Sequence, residues 1–182
     1  MRRLLSIGCV VVCVFLYHSA AAGPRAQWSF VDFDPVKHQP ERELVLRLNE
    51  VKQEALYVND VELKLFIALA DMNGDGVKEI FALFRHPDFC GTRACEFQTL
   101  LRGSDGIWRS VTEMGTSSTA IALGPYHNGY RDMLFHGGGP GRLNDLSCPV
   151  WQHNGTAYDL KYHMGPNRWP CREATARYYM RE

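Results

Sequence analysis

Apolar positions recur in two registers along the chain. Between Glu41 and Tyr57, Leu44, Leu48, Val51 and Ala55 are separated by four, three and four residues, which sets them along one side of a helix. Pro40 suits the first turn of that helix, Glu41 and Glu43 favour its positive end, and Asn59-Asp60 stops it. From Val61 the period shortens to two. Val61, Leu63, Leu65 and Ile67 alternate with Glu62, Lys64, Phe66 and Ala68, and Glu79–Arg85 follows as a second apolar strand beyond the Asp71–Gly76 turn. Three further strand pairs surround turn signals: Cys95–Arg102 with Ile107–Thr112, Ala120–Leu123 with Tyr130–Phe135, and Cys148–His153 with Thr156–Tyr162. Asn154-Gly155, inside the last pair, is the strongest short hairpin signal. One helix and seven or eight short strands predict an α+β class: an N-terminal helix followed by an antiparallel β-rich domain, either a small sheet or a sandwich. No repeat of fixed period runs through the chain, which excludes a propeller.

The first 22 residues follow neither register. Arg2 and Arg3 precede an apolar run from Leu4 to Tyr17, and Ser19-Ala20-Ala21-Ala22 closes it, giving the three regions of a cleavable export signal. The apolar part is too short for a membrane span, and no later stretch reaches the roughly 18 apolar residues that a span needs. Leu5-Ser6-Ile7-Gly8-Cys9 has the outline of a lipoprotein box, but most of the apolar core follows Cys9. An uncleaved N-terminal anchor is the other alternative, against which the Ala-rich end argues. The expected organisation is a signal over 1–22, an extended lead-in over 23–40 that pins one short strand, and a single domain over 41–182.

Charge and cysteine content change meaning once the signal is set aside. The full chain balances 20 basic against 20 acidic residues, and loss of Arg2 and Arg3 leaves 18 against 20. That excludes the basic field a nucleic-acid backbone requires. Of six cysteines, Cys9 and Cys13 fall in the signal, so Cys90, Cys95, Cys148 and Cys171 remain. An even number in an exported chain reads as two disulfides in a periplasmic or secreted protein. Four cysteines permit three pairings; the short Cys90–Cys95 spacing favours a local bridge, with Cys148 to Cys171 as the second. A zinc site would want C-x2-C spacing, which is absent.

The segment Asp71-Met-Asn73-Gly-Asp75-Gly-Val77-Lys-Glu79 carries the most specific chemistry. Side-chain oxygens of Asp71, Asn73, Asp75 and Glu79 can converge with the Val77 carbonyl on a hard cation, and Gly76 allows the sharp turn; calcium is the expected cofactor. Position 12 of the loop is Ala82 rather than the bidentate glutamate of an EF-hand, so affinity should be weak, about 10⁻⁴ to 10⁻³ M. Asn, Asp and Gly also build capped turns without any metal. The loop resembles the D-x-N-G-D-G-x-x-E/D loop of FG-GAP and VCBS-type extracellular β-repeats. With Cys90-Gly-Thr-Arg-Ala-Cys95, Tyr130-Arg-Asp132 and Trp151-Gln-His-Asn-Gly-Thr-Ala-Tyr158, the chain is also similar to a group of small exported bacterial proteins of uncertain function. The resemblance implies calcium held between two strands, an extracytoplasmic location and a binding role, and it implies no catalytic residue.

Other constellations are less complete. His136-Gly137-Gly138-Gly139 matches an HGGG oxyanion-hole motif, but no G-x-S-x-G nucleophile elbow occurs, and a flexible Gly-Pro-Gly loop explains the run as well. Asp105 and Asp132 are candidates for a glycosidase carboxylate pair, although Asp105 falls in a turn. The Cys90–Cys95 loop would hold Arg93 on a rigid projection, which lowers the ordering cost of docking. Its spacing resembles the C-x4-C loop of Ivy-type periplasmic lysozyme inhibitors, without their Pro-His-Asp content. These readings converge on an exported, disulfide-stabilised binding module with a calcium loop, an inhibitor or immunity-type protein acting on a cell-envelope enzyme, with Arg93 and His136 at the partner surface. The alternatives are a small cell-envelope hydrolase using His136 and a structural envelope protein.

Overall fold

A computed structural model describes residues 27–49, 61–91, 94–116, 120–136 and 147–180. The export signal, the predicted helix beyond residue 49, Arg93 and the glycine run after His136 lie outside them. The described elements are β1 Ser29–Asp32, α1 Gln39–Leu48, β2 Lys64–Ala70, β3 Glu79–Arg85, β4 Cys95–Arg102, β5 Trp108–Thr116, β6 Ala120–His127, β7 Tyr130–Phe135, β8 Cys148–His153, β9 Tyr158–Met164 and α2 Cys171–Met180. They form two antiparallel sheets, one of four strands in the order β2-β3-β4-β5 and one of five in the order β1-β6-β7-β8-β9. The lead-in supplies β1, whose Ser29 to Asp32 pair with Leu123 to Ala120.

Three apolar layers hold these sheets. Between them lie Phe33, Phe81, Leu83, Phe97, Ile121, Met133 and Phe135, with the Phe97 ring 5.1 Å from Phe135 and 6.2 Å from Phe81. The outer face of the four-stranded sheet buries Leu65, Ile67, Ile80, Ala82 and Phe84 with Val45 of α1. The outer face of the five-stranded sheet buries Ala120, Ala122, Leu134, Cys148 and Val150 with Cys171 and Ala174 of α2. The result is four layers, helix on sheet on sheet on helix. β3 reads as a continuous apolar run because both of its faces are covered: Phe81 and Leu83 enter the inter-sheet core while Ile80, Ala82 and Phe84 face the α1 side.

α1 departs from its predicted face. Val45 is its fully buried residue, whereas Leu48 is 47% exposed. Leu44 of the expected stripe does pack on the sheet, but the face is centred on Val45, with Leu46 beside it and the polar Arg42 and Asn49 at its ends. Arg42 donates to the Leu65 and Asp34 carbonyls, and Asn49 exchanges side-chain hydrogen bonds with Gln98 of 2.9 and 3.2 Å. A polar residue that caps a sheet edge looks solvated in the sequence, which is why the stripe came out one residue off. α2 is a second helix beyond the single one expected. Its contact face is Cys171 and Ala174, too small to register as a hydrophobic stripe.

The turns also redistribute. The two-residue turn with both central residues at positive φ is Asn128-Gly129, at 51° and 82°, between the paired His127 and Tyr130. Asn154-Gly155 belongs to a four-residue connection, since His153 pairs with Tyr158. There the Asn154 carboxamide oxygen accepts from the N–H groups of Thr156 and Ala157, each at 2.9 Å, and so closes a wider turn.

Candidate functional site

The Asp71–Glu79 loop joins β2 to β3, the strand-loop-strand setting the sequence implied. Its side chains curl inward. Asp71 accepts from Gly74 N at 2.6 Å and Gly76 N at 3.0 Å, Asn73 from Asp75 N at 3.0 Å, and Asp75 from Val77 N at 2.7 Å. Gly74 and Gly76 take φ of 79° and 83°, a conformation that side chains resist, so the glycines are required by the turn itself. Asn73 Nδ2 donates to Asp75 Oδ2 at 2.9 Å. These oxygens therefore cap backbone donors, and among the described residues no three His, Cys, Asp or Glu side chains are gathered as metal ligands.

Met72 and Glu79 anchor the loop to the rest of the molecule. The Met72 side chain is buried in the inter-sheet core, its N–H donates to Glu79 Oε2 at 2.6 Å, and its carbonyl accepts from Arg131 N of β7 at 2.8 Å. Glu79 is 1% exposed. Burial lifts its carboxyl to about 7 against the downward pull of the Met72 N–H, and the Asp75 and Asp71 charges raise it further. An acidic group crowded by two others is a fit for a hard cation in charge and donor type.

The other expected site lies at the opposite end of the sheets. Cys90 is bonded to Cys95 and Cys148 to Cys171, as the spacing favoured. The first bridge closes the β3–β4 connection beyond Arg85; the second ties the start of β8 to the start of α2. β7 begins at the Met72 contact and ends at Phe135, so His136 also falls at the disulfide end. His136 is 4% exposed and its N–H reaches Ala120 O at 3.4 Å, so its ring sits under the surface rather than on it. His86, at the end of β3, is 3% exposed, with Nδ1 accepting from Asp88 N at 3.2 Å.

Asp105 and Asp132 are not partners. Asp105 is in the β4–β5 turn, bonded to Arg109 at 2.6 Å, and that guanidinium together with the Ile107 N–H holds its carboxyl down at about 2. Asp132 is in the other sheet, where it meets His127 and Gln152. Sequence reasoning missed this second group because its members come from three strands and share no motif. No family model, curated protein or solved structure matches the chain. The fold and its bonds thus define a disulfide-stabilised, two-sheet β-rich protein with a helix on each outer face.

Proposed function

We propose that the protein is an exported binding module of the periplasm or extracellular space, with calcium on the Asp71–Glu79 loop and a docking surface at the disulfide end. The observation that carries this reading is the placement of both disulfides at one end, each beside a chain connection. Covalent closure there reduces the entropy lost when a surface is immobilised by a partner. The Cys90–Cys95 bridge closes the stretch of sequence that carries Arg93, and His136 is buried at the same end. A cell-envelope enzyme restrained by this end, as by an inhibitor or immunity-type protein, is the partner class.

Calcium would be held by Asp71, Asn73, Asp75 and Glu79 with the Val77 carbonyl, and it would offset the charge crowded at Glu79. The melting temperature of the mature domain should be higher in millimolar calcium than in chelator; identical values would remove calcium from the reading. Affinity capture from the cell envelope should retain an enzyme whose activity falls on binding, and the loss of both in Cys90→Ser/Cys95→Ser would locate the contact. Equal capture and inhibition with and without that bridge would overturn the docking assignment.

A further inference from the structure

The outer face of the five-stranded sheet carries a histidine chemistry that stands apart from the docking end. α2 covers only the part of this face around Ala120, Ala122, Leu134 and Cys148. Beyond it, His127 of β6 meets Asp132 of β7, Nδ1 to Oδ1, at 2.7 Å. The Asp132 side chain is 2% exposed and that of His127 45%. Gln152 of β8 donates to the second Asp132 oxygen at 3.1 Å, which fixes the carboxylate plane. An ionised carboxylate only accepts hydrogen bonds, so a neutral His127 must carry its proton on Nδ1. Its other nitrogen, Nε2, makes no hydrogen bond to a described residue and belongs to a solvent-exposed ring, so in that tautomer it carries the lone pair.

An oriented base on an exposed face can activate water against a carboxylic ester whose leaving group departs without a second acid.

We propose that His127 is a general base for hydrolysis of activated esters and that Asp132 and Gln152 are its positioning residues. Water gives a proton to Nε2 as its oxygen bonds to the ester carbonyl carbon. The imidazolium, steadied by Asp132, returns that proton to the departing alkoxide as the C–O bond breaks, releasing acid and alcohol.

The probe is p-nitrophenyl acetate with the mature, disulfide-bonded chain. His127→Gln should lower the rate by about tenfold or more, within the range of lost acid-base catalysis. His163→Gln is the control: its ring is also exposed, but its bond is to the Ser147 hydroxyl at 3.3 Å rather than to a carboxylate, and the rate should not change. Asp132→Asn should displace the pH–rate profile as well as lower the rate, which a structural role alone would not do. Ring ¹⁵N shifts of His127 in the unmodified protein give a reading independent of any variant's folding, and should report Nδ1–H with unprotonated Nε2. Equal rates for His127→Gln and the unmodified protein, or the opposite tautomer, would overturn the proposal.

Discussion

Glu79 makes the stability of the whole chain depend on pH at a single atom pair. Its carboxyl titrates near 4.5 when free and at about 7 in the fold, mainly because burial disfavours its charge. Well below 4.5 both states hold the Glu79 proton and the contribution of this residue to stability is complete. As pH rises toward 7 the unfolded chain ionises first, so stability is progressively lost, by ~3 kcal/mol once both states are ionised. Glu79→Gln keeps an acceptor for the Met72 N–H and removes the titration. Denaturant midpoints at pH 4.5 and 7.5, measured in chelator, should therefore differ much less for Glu79→Gln than for the native residue. A cation on the loop favours the ionised form, so calcium should flatten the native slope and bind more tightly as pH rises through 7. An unchanged pH slope in Glu79→Gln would place the titrating group elsewhere. The sequence marks Glu79 as a loop oxygen but not as a buried one; its burial becomes visible only with the Met72 N–H donating to it and the Met72 side chain in the inter-sheet core.

At the scale of elements, legibility followed side-chain size. β3, β4, β7 and β8 came out at their observed ends because large apolar residues and turn residues bound them sharply. α2 did not, since a helix held by Ala174 and a disulfide at Cys171 offers no large apolar stripe. α1 was found with Leu44 packed on the sheet as expected, but Leu48 is exposed because Val45 centres the inner face and Arg42 and Asn49 occupy its ends through hydrogen bonds. That difference predicts opposite mutational costs on one helix. Val45→Ala, at a fully buried site, should cost about 1–3 kcal/mol. Leu48→Ala, at a site 47% exposed, should cost under ~0.5 kcal/mol. Chemical denaturation of the two variants decides the matter, and a larger cost at Leu48 would restore the stripe read from periodicity. Candidate sites divide the same way. The Asp71–Glu79 loop and the cysteines are local motifs and were visible, whereas His127, Asp132 and Gln152 become neighbours only through strand register.

Over the whole molecule, the antiparallel topology sends successive connections to alternate ends, and this separates the two expected sites. The Asp71–Glu79 loop, the Asn128-Gly129 turn and the Asn154–Ala157 turn lie at one end; the Cys90 loop, His136 and the Cys148–Cys171 bridge lie at the other. Between them runs the continuous inter-sheet core, in which Phe97 touches both sheets. Two constraints so placed act on different parts of the chain. The loop fixes the β2–β3 pair and, through Met72 and Arg131, the start of β7. The bridge closes a span of 23 residues from β8 to α2 and acts mainly by restricting the unfolded chain. Their contributions should then add. Replacing Cys148 and Cys171 with serine should cost about 2–4 kcal/mol, and combining that change with calcium removal should give the sum of the two separate effects to within about 0.5 kcal/mol. A cycle of four unfolding measurements, native and serine chains each in calcium and in chelator, yields the interaction directly. A coupling well above ~1 kcal/mol would mean that the core transmits the state of the loop to the disulfide end, and a partner docked there would then be under the control of calcium as well.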